Sequence, residues 1–291
     1  FLSLYYLFLL KNNINKKKIF GINIMLDTAE IMRRLVKYLI EGLCVAVEGL
    51  SIALDKNDNF SAILFGDEPE IKSELKKYSN INKKVEIVHC GKVVPMDAKP
   101  IDAIRRIGKE SSMWGCIKSV GDGNASVALS AGNTGALMGL STIILRTIDG
   151  IERPAISSLW PNINGNSVVL DLGANVKVSS SQLVQFGILG YAYALSILEK
   201  SNPSIGLLNI GHEEMKGTEN IQKASEGMKR LFKENYIGYV EGDGISLGKS
   251  DVVVTDGFTG NIALKTAEGT AKLVGQFMSD IFKKSLMGRL G

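Results

Sequence analysis

The stretch 251–265, DVVVTDGFTGNIALK, changes its hydrophobic pattern twice. Val252–Val254 is a continuous β-branched run, which predicts a strand buried on both faces of a parallel sheet. Glycine and polar residues follow at 256–261, and from Ile262 the apolar positions recur with helical spacing. The pattern therefore predicts a strand, a turn and a helix, in that order. Such a turn either is an ordinary connection or leaves backbone N–H groups free at a helix start, where they bind anions.

Three further stretches have the same order of patterns. They are SVALSAGNTGAL at 126–137, SVVLDLGAN at 167–175 and IGLLNIGHEEMKG at 205–217. Each predicts a strand (127–130, 167–170 and 206–210) that ends in a turn of glycine and polar residues. Parallel strands joined by right-handed crossovers share a direction, so all four turns are expected at one edge of the sheet. Open α/β sheets bind ligands at that edge, which predicts a shared polar site.

The rest of the chain alternates between the two periods. Further strands are predicted at 22–27, 62–66, 85–89, 156–159 and 237–239, and helices at 29–52, 68–78, 135–146, 181–199, 220–233 and from 262 to the end. Two more helix starts are predicted, one at Lys99-Pro100 because proline suits the first turn, and one at Ser111 because serine caps well. This alternation indicates an α/β fold.

The composition limits the class of protein and leaves the predicted α/β fold unchanged. The chain has 291 residues, 45% hydrophobic and 22% charged, which allows one large or two modest domains. The net charge of +4 is mildly basic, and no run is typical of a nucleic-acid patch. Three cysteines without metal-ligand spacing indicate reduced thiols in a cytosol. No metal site and no cofactor are expected.

Both ends of the chain are unusual in composition. The apolar stretch 1–10 is too short to span a bilayer, and 11–18 is a polar basic run. Residues 1–19 are therefore expected to be an extension outside the fold, the alternative being a short membrane-touching tail. The last helix mixes apolar and basic residues, which suits either an anionic lipid surface or a packed core.

The turns offer no protein nucleophile. The chain has no G-x-S-x-G, no G-x-G-x-x-G opening a βαβ unit and no Walker lysine motif. What remains is backbone N–H groups, carboxamides and cations, and these can hold an anion or a developing oxyanion. Lys99 and Arg105 precede the first of these turns, either as a cationic wall or as a solvated helix face. Held phosphate is itself a nucleophile.

Taken together, the motifs resemble one known family. SAGNTGA, LDLGAN, LLNIG-EE-KG and TDGFTGN followed by LKT-EG, with MDAKPIDAIRR-KESSM and IERPAI, are similar to those of PlsX-type phosphate acyltransferases. The resemblance runs from about Gly42 to the C-terminus. It implies a three-layer α/β/α sandwich with a mostly parallel sheet, like isocitrate/isopropylmalate dehydrogenase, in a single domain over 20–291. It also implies transfer of a fatty acyl group from acyl carrier protein to inorganic phosphate, giving acyl phosphate for phospholipid synthesis.

The resemblance also implies site residues and partners. The expected catalytic residues lie in the four turns, and they are Asn133, Asp171, Asn175, Asn209 and Asp256. The expected substrate-binding residues are Lys99, Arg105, Gly132, Thr134, Gly135, Gly173, Gly211, Lys216, Gly217, Gly257, Thr259, Gly260 and Asn261. The roles we assign are hypotheses: Asn133, Thr134, Thr259 and the Gly257 and Gly260 amides hold phosphate, and Lys99, Arg105 and Lys216 neutralise it or meet the acidic carrier protein. Asn175 or Asn209 donates to the thioester oxygen.

The expected assembly is a homodimer that contacts acyl carrier protein. It is expected in the cytoplasm, peripheral at the inner face of the membrane and beside the glycerol-3-phosphate acyltransferase. No nucleic-acid partner is expected.

Three departures from the family pattern leave alternatives open. The family's M-G-G-D-x-A-P turn is replaced by TAEIMRR after Asp27, the chain ends at Gly291, apparently truncated, and Lys177 and His212 stand where acidic residues are usual. The alternatives are a short-chain phosphotransacylase using coenzyme A thioesters and an inactive relative that only dimerises or docks on membrane. An assay that compares thioesters of acyl carrier protein with thioesters of coenzyme A separates the phosphotransacylase from the main hypothesis.

Overall fold

The computed structural model describes residues 6–7, 42–56, 59–78, 81, 84–99 and 107–284. These residues divide into two compact units. The C-terminal unit comprises Ala155–Gly291 with Phe1–Phe8, and the N-terminal unit comprises Leu9–Pro154. The domain boundaries predicted from the sequence, 1–19 and 20–291, stay a prediction.

The described elements alternate between strands and helices for most of the chain. The strands are β1 (Tyr6–Leu7), β2 (Ala62–Gly66), β3 (Val85–His89), β4 (Ile156–Asn162), β5 (Gly165–Leu170), β6 (Ile205–Leu208), β7 (Tyr236–Val240) and β8 (Val252–Val254). The α-helices are α1 (Gly42–Lys56), α2 (Glu68–Leu75), α3 (Ser112–Gly121), α4 (Thr134–Leu145), α5 (Ser180–Ile197), α6 (Glu219–Phe232), α7 (Gly242–Ser246) and α8 (Gly257–Lys284). The mixed α/β fold with mostly parallel sheets, predicted from the sequence, is confirmed.

The N-terminal unit is built on two parallel strands. β2 and β3 pair in register from Ala62 opposite Val85 to Gly66 opposite His89. α1 and α2 bury one apolar cluster, and α3 and α4 bury another with Met113 and Leu140 at its centre. The second cluster packs α4 in place, and α4 starts at one of the predicted turns.

The C-terminal unit is built on a six-stranded sheet in the order β1-β4-β5-β8-β6-β7. β5, β8, β6 and β7 run parallel, while β4 forms an antiparallel hairpin with β5 and β1 adds antiparallel to β4. The Val252–Val254 run is fully buried in the middle of this sheet, as its β-branched pattern predicts. α5 begins with a capping box between Ser179 and Gln182.

Several elements differ from the sequence predictions. Residues 127–130 form no strand, because no described strand lies beside them to satisfy their backbone groups, and Leu129 is largely exposed. α8 begins at Gly257 rather than Ile262, because Asp256 accepts a hydrogen bond from the Thr259 amide and so starts the helix at once. The strand predicted at 206–210 spans Ile205–Leu208.

Other predictions are met only in part. The helix predicted at 68–78 ends at Leu75, and the pairing of β1 places two residues of the predicted extension in the sheet. The strand predicted at 22–27, most of the helix predicted at 29–52 and the helix start at Pro100 lie outside the described residues.

Candidate active site

Three of the four predicted turns leave the same edge of the C-terminal sheet at nearly the same level. Leu170 pairs with Val254, and Leu207 also pairs with Val254, so the residues that follow these strands are aligned. Asp171, Asp256 and Asn209 therefore begin three adjacent connections. Because neighbouring strands lie about 4.8 Å apart, these connections fit within a span of about 10 Å.

The Asp171 carboxylate is fully buried and accepts five hydrogen bonds. Oδ1 accepts from the amides of Ile156, Gly173 and Ala174 at 3.0, 3.2 and 3.0 Å. Oδ2 accepts from the amide and the side-chain Nδ2 of Asn175 at 2.7 and 2.9 Å. Burial raises the pKa of the Asp171 carboxyl above its ordinary value, and hydrogen bonds from Ala174, Asn175 and Ile156 oppose that rise. All five donors are groups of the protein itself, so the Asp171 carboxylate holds the loop after β5 in one conformation.

That loop is locked against the start of α8. The Gly257 amide donates to the Asn175 carbonyl at 2.9 Å. A methyl group added at Gly257 would lie 2.8 Å from the Asn175 backbone and 2.9 Å from Asp171 Oδ2, and one added at Gly260 would overlap the Asp171 carbonyl oxygen. Glycine is thus required at both positions by close packing of backbone on backbone.

Two predicted phosphate donors, the amides of Gly257 and Gly260, are contradicted by the hydrogen bonds that they make within the chain. The Gly257 amide is used by Asn175, and the Gly260 amide donates to the Asp256 carbonyl at 2.9 Å. Neither N–H is left for an anion. Asp256 is itself engaged, since its carboxylate accepts from the Thr259 amide at 2.9 Å and from the Thr259 hydroxyl at 2.8 Å.

The loop after β6 is more open. Asn209 Nδ2 donates to the carbonyls of Gly211 and Lys216, both at 3.2 Å, which closes residues 209–217 into a compact turn. Gly217 has φ +86°, a conformation that other residues rarely adopt, and it lies directly against the Asn209 side chain. Within this turn Lys216 is exposed and forms no ion pair with any described residue. It is a cation that an anionic ligand can reach.

Two predicted side chains on the first turns of α8 are exposed beside the β5 loop. Asn261 lies within 3.6 Å of where a methyl group at Gly173 would stand, so the two predicted residues are neighbours. Thr259 and Asn261 are both accessible to solvent. With Lys216 they are predicted site residues whose polar side chains this edge exposes to solvent.

In the N-terminal unit, Asn133 caps α4 and is fully used. Its Oδ1 accepts from the Ala136 amide at 2.9 Å, and its Nδ2 donates to the carbonyls of Met96 and Ala98 at 2.9 and 2.8 Å. The same Nδ2 lies 3.3 Å from the Pro95 carbonyl. Asn133 therefore ties the 95–98 segment to the start of α4.

That tie holds another set of predicted residues together. Lys99 follows Ala98 directly and is exposed, as are Thr134 and Gly135 in the first turn of α4. The Gly132 amide donates to Ser130 Oγ at 3.1 Å. Arg105 lies outside the described residues.

The described part of the chain shows no group of three or more His, Cys, Asp or Glu side chains arranged to hold a metal ion. None of its helices combines the length and the apolar character needed to cross a bilayer.

Comparison with known proteins decides the family. The sequence profile of a family described as "Fatty acid synthesis protein" matches residues 41–291. The phosphate acyltransferase of Azorhizobium caulinodans is 44% identical over 253 residues, which is 85% of this chain and 70% of that protein. The phosphate acyltransferase of Parvibaculum lavamentivorans is 45% identical over 246 residues, 84% of this chain and 68% of that protein. This chain belongs to the phosphate acyltransferase family.

A solved structure supports the fold alone. The EutD phosphotransacetylase from Staphylococcus aureus superposes with a TM-score of 0.56 at 18% identity, covering 84% of this chain and 87% of that one.

Like other members of the phosphate acyltransferase family, this chain is an enzyme of the acyltransferase class.

Lys177, named from the sequence only as a departure from the family pattern, is not among the predicted site residues, although it lies in one of the predicted turns. Lys177 is exposed, forms no ion pair with any described residue and follows the buried Asn175 by two positions. The signal that could have found it is its place in the same turn as Asp171 and Gly173.

Proposed function

We propose that this chain transfers a fatty acyl group from acyl carrier protein to inorganic phosphate, giving acyl phosphate for phospholipid synthesis. A phosphate oxygen attacks the thioester carbonyl, the carbon–sulfur bond breaks, and the carrier thiol leaves with a proton. The observation that supports this most directly is the exposed Lys216 in a turn at the aligned strand ends, in a chain of the phosphate acyltransferase family.

The proposed roles follow the contacts of each residue. Lys216 neutralises phosphate and Asn261 helps to hold it, because both are polar, exposed and next to the aligned strand ends. The Thr259 hydroxyl donates to Asp256 and so helps to fix the start of α8. Asn209 uses its Nδ2 to keep the Lys216 turn closed, so it acts by positioning that turn rather than by donating to the thioester oxygen. Asp171 and Asn175 act by positioning the loop. The substrate-binding roles of Lys99 and of Thr134 and Gly135 in the N-terminal unit stay a prediction.

The test uses the purified full chain with phosphate and palmitoyl acyl carrier protein. Acyl phosphate, trapped by hydroxylamine as the hydroxamate, should form in proportion to phosphate and enzyme. Palmitoyl and acetyl coenzyme A replace the carrier thioester in parallel reactions. Faster reaction with acetyl coenzyme A would favour a short-chain phosphotransacylase, and no product with any thioester would favour an inactive relative.

We also propose that the chain works as a homodimer. From Gly269 to residue 283 every described residue of α8 is exposed, and six large apolar side chains there recur at helical spacing. They are Leu273, Val274, Phe277, Met278, Ile281 and Phe282, each between 48% and 63% exposed. A stripe of this size on one helix is the kind of surface that a second copy covers. Light scattering should show a dimer that Phe277→Asp converts to monomer, whereas Lys272→Gln should not.

Peripheral contact with the inner face of the membrane and with the glycerol-3-phosphate acyltransferase is the last part of the proposal. It is supported by the family resemblance and by lysines on the apolar α8, a composition that suits anionic lipid. Cosedimentation with vesicles of phosphatidylglycerol, compared with phosphatidylcholine, tests it. Equal or absent binding to both would contradict it.

A further inference from the structure

Each of the three connections at the sheet edge carries a large apolar side chain that is mostly exposed. Val176 follows β5, Met215 follows β6, and Phe258 follows β8, with exposed fractions of 62%, 89% and 59%. A single exposed apolar residue is ordinary on a protein surface. With Ile210, which is 81% exposed on the β6 connection, four such residues lie on adjacent connections at the edge that carries the candidate site, and an accumulation of this kind indicates a binding surface.

One hydrogen bond ties two of the three connections to each other, and another fixes the backbone of the third against α6. The Gly257 amide donates to the Asn175 carbonyl, so Val176 and Phe258 each follow one member of a bonded pair. On the other side of β8, Gln222 donates to the Met215 carbonyl at 3.0 Å, and this fixes the backbone at the tip of the β6 loop. We name the set Val176, Met215 and Phe258 the acyl rim.

Two of the three rim residues are each followed by an exposed lysine, and the β6 loop also carries the exposed Glu213 and Glu214. Lys177 follows Val176 and Lys216 follows Met215, and both lysines are exposed without an ion-pair partner among the described residues. Other lysines of this unit, such as Lys223 and Lys229, are neutralised by glutamates at 2.5 Å. The ligand that complements this pattern has an apolar chain and an anionic group at one end.

We propose that the fatty acyl chain of the substrate lies along the acyl rim and that the rim sets the preference for chain length. This inference rests on the proposed function, because the thioester and the phosphate meet at the same sheet edge. Each methylene of the acyl chain that the rim fully buries strengthens binding about fourfold. A rim of three side chains therefore favours long chains over short ones without changing the chemical step.

The experiment compares octanoyl and palmitoyl acyl carrier protein in the full chain and its variants. Met215→Gln and Phe258→Gln keep side-chain length while removing apolar surface, and Val176→Thr keeps shape. We expect the palmitoyl-to-octanoyl ratio of kcat/KM to fall by about tenfold in the triple variant. Ile163→Gln is the matched control, since Ile163 is 76% exposed, within the range of the rim residues, at the tip of the β4–β5 hairpin, at the opposite edge.

A binding measurement keeps the inference testable apart from activity. Dansyl-undecanoic acid should bind the unaltered chain with increased fluorescence, and the triple variant should bind it at least about fivefold more weakly. If no thioester gives acyl phosphate but the rim variants lose the probe, the proposed function fails and the rim stands. If the ratio of kcat/KM and the probe affinity are both the same in the triple variant and in Ile163→Gln, the rim is overturned.

Discussion

The loops after β5 and β6 leave the same edge of one sheet, yet they are held in opposite ways. In the β5 loop a buried carboxylate, Asp171, gathers five N–H donors, and the loop is pressed onto the start of α8. In the β6 loop a partly exposed carboxamide, Asn209, closes the turn with two hydrogen bonds, and the tip stays in solvent.

This difference shows that the family motifs contain two kinds of residue, those that hold the structure and those that can contact a substrate. Residues that satisfy one another inside the protein fix the backbone, and residues left in solvent are free to meet a substrate. Asp171 and Gly260 belong to the first group, and Lys216 to the second. Substitutions in the two groups should therefore differ in kind, with loss of stability in one and loss of substrate affinity in the other.

Asp171→Ala should have the largest effect on stability. It leaves buried N–H groups without an acceptor, at a cost of about 1–3 kcal/mol each, so the free energy of unfolding should fall by at least about 3 kcal/mol. Urea unfolding followed by circular dichroism measures it. Asp256→Ala is the matched control, since it removes only a helix cap and should cost about 1 kcal/mol. Equal losses would contradict the scaffold role of Asp171.

Gly260→Ala should come next. The added methyl group would overlap the Asp171 carbonyl and lie 2.9 Å from Thr255 Cγ2, so the start of α8 must shift. We expect a loss of about 1–3 kcal/mol in the free energy of unfolding. Gly269→Ala in the same helix meets nothing within 4 Å and should gain about 0.5–1 kcal/mol. Thermal or urea unfolding should show a lower free energy of unfolding for Gly260→Ala and a higher one for Gly269→Ala. A stabilised Gly260→Ala would contradict close packing at this position.

Asn209→Ala should have a smaller effect that is confined to its own loop. Losing the hydrogen bonds to Gly211 and Lys216 should cost about 1 kcal/mol and open the turn. Limited proteolysis with mass spectrometry should then show faster cleavage at Lys216. Asn235→Ala, which loses a comparable pair of hydrogen bonds at the opposite edge, should leave that cleavage rate unchanged. The same rate in both variants would mean that Asn209 does not hold the turn.

Much of the fold could be predicted because its signals are local. The β-branched run at Val252–Val254 and the serine cap at Ser111 are each decided by neighbouring residues, and the structure shows both. Residues 127–130 could not be assigned in this way. Val127 and Leu129 alternate like a strand, but a strand exists only where another strand satisfies its backbone, and that depends on the tertiary fold.

The same limit applies to the site. From the sequence, Asp171 and Asp256 are two carboxylates that each follow a buried strand, and nothing local separates their roles. The structure distinguishes them because the Ile156 amide, 15 positions away, reaches Asp171. The requirement for glycine at 257 and 260 likewise comes from a neighbouring loop, so the sequence favoured free anion-binding amides where the structure shows close packing.

Phosphate saturation of the Lys216→Gln variant is the most direct test of the central claim, that the open β6 loop meets the substrate. We expect acyl phosphate formation from palmitoyl acyl carrier protein to need about tenfold more phosphate in Lys216→Gln, at an unchanged unfolding midpoint. Lys272→Gln, an equal charge change on exposed α8, should keep the KM for phosphate of the unaltered chain. The same KM in Lys216→Gln and Lys272→Gln would contradict the account.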